Sequence, residues 1–459
     1  MKIRVIIIVF LSLFGALQVA AQSVTLSLQE CKEMAAASDP YLKNSHLDLL
    51  SAQSQKREAF TEYFPKVSIN SFGFWSYNPL IRLDAYSLLG DGKLAMGMDR
   101  VLKELNKQFG TPYEFTMLDY GFNVSLMVVQ PLFVGGRIVK GNQLAKVGVK
   151  AAELQYKIQT RTTNEQVEQS YWEIVALEQK MKTLEQLEEL LESLQEDAQA
   201  AVDAGLTTDT DLLLVKIKRN ELRSGKIELQ GGIRLLKMKL FNSIGQRYCF
   251  VEQMADGATP YIDSVKLADN FKTLLSPESY YMPEEQMLES LDEGKLLNLM
   301  VQAKELEKRM ALGEVLPSVM VGASTGYSHI TESQFNGTVF ATVSIPISDW
   351  GKASHKLKRL GYQVEKARNE QDYLDSMLLL QIRQLWLEVN VCWEKMAVAA
   401  ENVDMAKNSV ERQTNEYQAG LVSMSDLLTT QSTLFQATEG YINAQIEYSK
   451  ALTAYLGRQ

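Results

Sequence analysis

Along the second half of the chain, apolar or small residues recur at 378, 382, 385, 389, 392, 396, 399, 403, 406 and 410, in steps that alternate between four and three. Such a seam holds one face of a helix against its neighbours for turn after turn. The first half carries a similar seam at Ile174, Leu177, Met181, Leu184, Leu191, Leu194, Ala198 and Ala201, interrupted at Glu188. Proline, which breaks helix interiors, does not occur from Leu132 to Thr259 or from Ile347 to Gln459. The pattern predicts long helices over 137–204 and 352–419, each roughly 100 Å at about 1.5 Å per residue. Each reaches an Ala-Gly pair, Ala204-Gly205 and Ala419-Gly420, and glycine is expected just past a helix end. A second periodic stretch follows at once, 211–245 in one copy and 426–456 in the other. Asp211, and Ser425 or Asp426, are the expected N-caps. The result is a helical hairpin, twice. Helical stretches of half that length, 27–62 and 288–314, lie further upstream.

Period-two alternation marks four strands, 66–77, 119–131, 317–329 and 335–347. Val67, Ile69 and Trp75, then Phe122, Val124, Leu126 and Val128, then Val319, Val321 and Ala323, then Val339, Val343 and Ile345 form the apolar phase. The alternate positions are mostly Ser, Asn, Gly or Thr. Each strand has the length, about 10 residues, of a transmembrane β-strand. Phe64, Trp75, Tyr77, Tyr120, Phe133, Tyr327 and Trp350 gather near the ends, as an interfacial girdle requires. A soluble sheet with one wet face carries the same alternation. The aromatic ends, and helices too long to pack on so small a sheet, favour the membrane. Open sheet edges cannot stand in lipid, and four strands cannot close. The barrel must then be shared, with eight strands from two chains or twelve from three.

The two halves are copies. Pro131–Tyr156 aligns with Pro346–Gln371, Ala204-Gly205-Leu206 with Ala419-Gly420-Leu421, and Asp211-Leu212-Leu213 with Asp426-Leu427-Leu428, always at a numbering offset of 215. Phe64-Pro65-Lys66-Val67 aligns with Leu316-Pro317-Ser318-Val319 at an offset of 252, so the first copy holds 252 − 215 = 37 extra residues between Pro65 and Pro131. The organisation expected is a first repeat over 22–245, an intervening segment rich in Pro, Gly, Tyr and Met over 246–287, and a second repeat over 288–459. The extra residues place an insertion at 78–117.

Residues 1–21 read as a secretory signal: Lys2 and Arg4, an apolar run from Val5 to Leu13, then Val19-Ala20-Ala21 before the cleavage point. An N-terminal membrane anchor is the alternative, but the run is short for a span. Removing Lys2 and Arg4 takes the net charge from -9 to -11, which argues against a nucleic-acid partner. Three cysteines (31, 249, 392) and three histidines (46, 329, 355) show neither a disulfide framework nor metal-ligand spacing. No cofactor motif and no nucleophile or phosphate-loop motif is present, so no enzyme activity and no metal are expected.

The duplicated strand–Pro–helix junctions, QPLFVGGR at 130–137 and IPISDWGK at 345–352, and the tips AGLTTDTDLL (204–213) and YQAGLVSMSDLL (417–428) resemble the TolC-like outer-membrane factors. These are the exit ducts of tripartite efflux pumps and type I secretion, and the resemblance covers residues 24 to 457. It implies a mainly α fold with a small β part, in which helical hairpins build an α-barrel in the periplasm and four strands per chain give a twelve-stranded outer-membrane β-barrel in a homotrimer. It places 246–287 in an equatorial belt and the 78–117 insertion outside the cell. It further implies a periplasmic adaptor (membrane fusion) protein and an inner-membrane transporter as partners, with outer-membrane lipid around the strands. Tyr417 and Asp211 take the positions of a latch that closes the periplasmic end, with Gly205 and Gly420 at the tips. Asp426 takes the position of an acidic pore constriction, while Thr429 stands where some members carry a second carboxylate. Val422 replaces a latch arginine. Simpler readings remain: Asp211 and Asp426 as helix caps, and Tyr417 as a packing residue. A periplasmic adaptor would need lipoyl-like and barrel domains flanking one hairpin, and an envelope adhesin would use the insertion as its head.

Overall fold

The computed structural model describes residues 24–78, 81–83, 85–110, 115–117, 120–204, 208–254, 259–269, 274–329 and 334–458. The expected signal peptide and Gly205 lie outside the described residues. In chain order the elements are β1 (Thr25–Leu26), α1 (Leu28–Ser38), α2 (Pro40–Thr61), β2 (Lys66–Trp75), β3 (Ile81–Leu83), α3 (Ala85–Leu89), α4 (Lys93–Phe109), β4 (Phe115–Met117), β5 (Tyr120–Val134) and α5 (Arg137–Asp203). Then come α6 (Asp209–Ser243), β6 (Lys266–Leu267), α7 (Glu284–Ser290), α8 (Asp292–Gly313), β7 (Ser318–Ser328), β8 (Gln334–Ser344), α9 (Lys352–Gln418) and α10 (Met424–Leu456).

The duplication survives in three dimensions position for position. Helix α9 begins and ends at the offset of 215 from α5, and α10 begins at the same offset from α6. Upstream, α8 matches α2 at both ends with the larger offset of 252, which also separates the first positions of β7 and β2. The stretch expected as one helix over 27–62 is broken at Asp39, whose backbone turns to φ −56, ψ 120. A residue before proline is steered out of the α region, and Pro40 then suits a first helical position. Leu291, the counterpart of Asp39 in the second copy, adopts φ −58, ψ 128 without a following proline. The break therefore belongs to the fold rather than to Pro40.

The chain forms two compact units. One comprises the residues up to Ser51, Lys150–Met300 and Arg368 onward; the other comprises Ala52–Val149 and Val301–Ala367. In the first unit the heptad seam does what its period requires. Ile382, Val389, Cys392, Met396, Val403 and Ala406 of α9, and Ile174, Leu184, Leu191, Leu194 and Ala198 of α5, are buried. One core gathers Cys31, Ala35, Val167, Tyr171, Ile174, Leu240, Phe241 and Ile262. Another gathers Met287, Leu291, Ile382, Val389, Tyr448 and Tyr455. Residues between α6 and α7 are laced onto these cores by tyrosine hydroxyls. Tyr171 lies 3.0 Å from both the Leu26 carbonyl and the Asp269 carboxylate, and accepts from the Asp269 N–H at 3.1 Å. Tyr448 donates to the Leu275 carbonyl at 2.6 Å, and Tyr455 accepts from the Met282 N–H at 3.1 Å. Strand β6 pairs in parallel with β1.

In the second unit, β2, β5, β7 and β8 form one antiparallel sheet in that order. The register aligns Val67 with Val128, Val128 with Ala323, and Ala323 with Val339. Further along the same phase, Ile69 faces Leu126, Val124 faces Tyr327 and Tyr327 faces Phe335. Paired residues of an antiparallel sheet share a face, so the apolar phases of all four strands fall on one side. Among the described residues, edge strands β2 and β8 pair on one side only, and their apolar residues Ile69 and Val339 are 73% and 85% exposed. Gly135 and Gly136, between β5 and α5, hold φ of +63° and +76°. A side chain at Gly135 would strike the Gly313 backbone, its Cβ falling 2.0 Å from that carbonyl oxygen. In the second copy the equivalents are Trp350, at φ +55°, and Gly351. The insertion is folded: β3 and β4 pair, and α3 and α4 stand between them.

Among the described residues no helix is long and apolar enough to cross a membrane, and no group of His, Cys, Asp and Glu is arranged to hold a metal ion.

Candidate functional site

The two hairpin tips share the position of the helix cap but not its bonding: at the first, the Thr208 side chain makes no cap hydrogen bond. At the second tip α9 ends in a Schellman turn: the Gly420 N–H donates to the Tyr417 carbonyl and the Leu421 N–H to the Glu416 carbonyl, both at 2.9 Å. Gly420 holds φ +71°, which only glycine adopts without cost. Beyond it, Ser423 caps α10. Its hydroxyl accepts from the Asp426 N–H at 3.2 Å, while the Asp426 carboxylate accepts from the Ser423 N–H at 3.2 Å and from its hydroxyl at 2.6 Å. This is a capping box. At the first tip the cap position is Thr208, the counterpart of Ser423 in the duplication, and Asp211 stands where Asp426 does. The caps expected at Asp211 and at Ser425 or Asp426 are therefore each displaced to Thr208 and Ser423. Asp211 and Asp426 are third residues of their helices. The Ser/Thr-x-x-Asp spacing was present in both tips and carried that signal.

The side chains around the tips form one apolar cluster. Leu184, Leu191, Leu194 and Ala198 of α5, Leu212 and Val215 of α6, and Met424, Leu427 and Leu428 of α10 are buried in it, and Tyr417 of α9 packs against it half-buried. Burial raises the Tyr417 phenol pKa above its ordinary value, and the negative charges of Asp211 and Asp197 raise it further. The two residues singled out from the sequence are thus electrostatic neighbours, and Asp197 is a third member the sequence reading did not pick. Asp426 and Thr429, one helical turn apart, are exposed. The Ser423 hydroxyl and N–H hold the Asp426 carboxyl below the usual carboxylate range, so it carries its charge at neutral pH. The Thr429 hydroxyl donates to the Ser425 carbonyl at 2.8 Å.

Beside this cluster, α5, α6 and α10 enclose a groove of about 690 Å³, lined by Leu184, Leu191, Leu229, Phe435 and Gln431 and opened by Gly225 and Gly232. The Gln431 side-chain oxygen is buried there without a hydrogen-bond partner. A separate charged knot joins Arg161, Glu165, Glu293 and Arg458: both arginines bond Glu293, and Arg161 Nε stands 3.6 Å from Glu165. The Glu165 oxygen facing that arginine is buried and makes no hydrogen bond. Burial raises the Glu165 pKa, against the pull of Arg161 and Arg458.

The family model described as outer membrane efflux protein matches residues 32–232 and 301–458. A comparison with curated protein sequences returned no match. Among solved structures, the outer membrane protein VceC of Vibrio cholerae is 16% identical, with a TM-score of 0.70 over 94% of this chain and 95% of its own. The CmeC outer membrane channel of Campylobacter jejuni is 13% identical, with a TM-score of 0.71 over 94% and 85%. The open state of the MtrE outer membrane channel of Neisseria gonorrhoeae is 12% identical, with a TM-score of 0.66 over 96% and 92%. At these identities the likeness is one of fold, and the fold is that of channels rather than enzymes. Nothing in it favours an adhesin or an adaptor. With its matched segments lying one in each copy of the duplication, the chain belongs to the outer membrane efflux protein family and is an outer-membrane exit duct that extends into the periplasm.

Proposed function

We propose that the duct works as a homotrimer, closed at rest by its hairpin tips and driven by an inner-membrane transporter through a periplasmic adaptor. The observation that carries this reading is the convergence of both tips on one cluster, with Tyr417 beside Asp211. A phenol that donates to Asp211 ties α9 to the start of α6, and breaking that tie lets the tips part. Three chains then set three copies of Asp426 about one axis. A ring of carboxylates concentrates cations and repels anions at a narrow mouth, and Thr429 adds no second ring. The unpaired sides of β2 and β8 support the trimer: joined edge to edge, three four-stranded sheets make a closed twelve-stranded barrel. The groove opened by Gly225 and Gly232 is where a helical hairpin of an adaptor fits. On this reading 246–287 belong to an equatorial belt and the insertion to the cell exterior.

The test is the mass of the detergent-solubilised protein with its conductance in a planar bilayer. A trimer with small, cation-selective conductance is expected. A stable monomer that retains its strand signal in circular dichroism would refute the reading.

A further inference from the structure

The insertion carries a helix with an apolar face that nothing among the described residues covers. Along α4, Ala95 is fully buried and Asp99, Leu102 and Asn106 are half-buried, so this row packs on the rest of the insertion. The adjoining row, Leu94, Met98, Val101, Leu105 and Phe109, is 82%, 48%, 55%, 41% and 71% exposed. Those positions follow steps of four and three and make one stripe. The remaining face bears Lys93, Arg100, Lys103 and Lys107 against Glu104, with Met96 exposed among them, while Asp99, at its margin, pairs with Lys103 at 3.0 Å. The helix therefore carries a net charge of +2 in a chain of net charge -9.

Two observations identify what covers the stripe. Its basic polar face complements an anionic surface, and an amphipathic helix with cations opposite an apolar stripe lies along a membrane interface. It is also continuous with the lipid band. The insertion leaves the sheet just after Trp75 and returns at Tyr120, which are register partners on the apolar face, and the Trp75 and Tyr77 rings meet edge to face at 6.5 Å between centroids. We propose that α4 is an interfacial helix. It rests on the outer leaflet beside the barrel, with Leu94, Met98, Val101, Leu105 and Phe109 at the acyl boundary and its cations against lipid phosphates. This rests on the reading that β2 spans the membrane with the insertion outside.

Single cysteines at 93, 94, 98, 100, 101, 104 and 105, each labelled with an environment-sensitive fluorophore, test it in the full chain. Cys31 and Cys392 are buried, and Cys249 is replaced by serine to silence it. The protein is reconstituted in vesicles of phosphatidylcholine and phosphatidylglycerol in equal amounts, with nitroxide lipids as quenchers. Quenching at 94, 98, 101 and 105 should be several-fold stronger than at 93, 100 and 104, and should weaken in vesicles of phosphatidylcholine alone. An Ile69→Cys probe on β2 reports the span itself. Lipid quenching at Ile69→Cys with none along α4 would overturn the interfacial helix alone; quenching at neither would overturn the span as well. Oxidative cross-linking of Val101→Cys between copies, without lipid quenching, would show that the stripes of neighbouring chains cover one another and would refute the proposal.

Discussion

Replacing Tyr417 by phenylalanine keeps the ring against the apolar cluster at the tips and removes one hydroxyl. The group at stake is a half-buried phenol beside Asp211 and Asp197, whose charges already oppose its ionisation. A hydrogen bond from a neutral donor to a charged acceptor contributes about 1.5–3 kcal/mol, and half-exposure argues for the lower end. About 1.5 kcal/mol is roughly tenfold in the closed-to-open ratio. Three independent latches that must all release together compound to roughly a thousandfold. Tyr417→Phe should thus raise the open fraction of single channels by between ten- and a thousandfold, and let large antibiotics leak into intact cells. Planar-bilayer recordings measure the first and growth inhibition the second. Asp211→Asn should be milder, because an amide oxygen still accepts the bond. The reasoning fails if Tyr417→Phe records like the wild type while Tyr417→Ala opens: ring packing would then hold the tips, and the hydroxyl would have no part in it.

Asp426→Asn keeps an oxygen for the Ser423 N–H and removes the charge, so cation selectivity and block by multivalent cations should fall, with a small drop in melting temperature from the weakened capping box; persistent selectivity would move the filter elsewhere. Ser423→Ala dismantles the capping box from the other side and should lower stability by about 1 kcal/mol with selectivity retained, read by thermal melting beside reversal potentials. Glu165 has a raised pKa in the folded chain, so its contribution is fully present below the carboxylate value of the unfolded chain, about 4.3, and is lost as pH rises through the raised folded value. Glu165→Gln should therefore raise the melting temperature at neutral pH, with the gap closing on acidification; a lower melting temperature at pH 7 would show that its ion pair with Arg161 outweighs burial. Gly135→Ala forces a side chain into the Gly313 carbonyl at a positive φ and should cost about 1–3 kcal/mol from overpacking alone, seen as poor recovery of folded protein.

What was legible in the sequence was whatever repeats with a fixed period. The seam from Leu378 to Val410 follows the helix period, and the phases of Val67, Val128, Ala323 and Val339 follow the strand period; both came through into the structure. The cap residues were misplaced because two acids stood closer to the periodic run than Thr208 and Ser423, although the Ser/Thr-x-x-Asp spacing was there to be read. The break at Leu291 left no local mark, since no proline or glycine enforces it. The fold of the insertion was hidden because Gly97 falls inside α4 and Gly90, Gly92 and Gly110 crowd its ends. Asp197 escaped because it reaches Tyr417 through packing between helices rather than through any motif. The charged knot of Arg161, Glu165, Glu293 and Arg458 joins segments far apart in the chain, and no spacing announces it.

The constant offset between α5 and α9 has a consequence for how this chain can change. One residue added anywhere inside either helix would rotate everything beyond it by about 100° and shift it by about 1.5 Å. The buried row would swing out to solvent, and the following tip would arrive a quarter-turn out of phase with its twin. Substitutions can accumulate freely along these helices, but insertions and deletions cannot, so length variation is driven out to the hairpin between β2 and β5. The two copies have accordingly diverged in almost every side chain while keeping count to the residue. Segments exchanged between them at matching positions should preserve phase, and the chain offers its own halves as a stock of interchangeable parts.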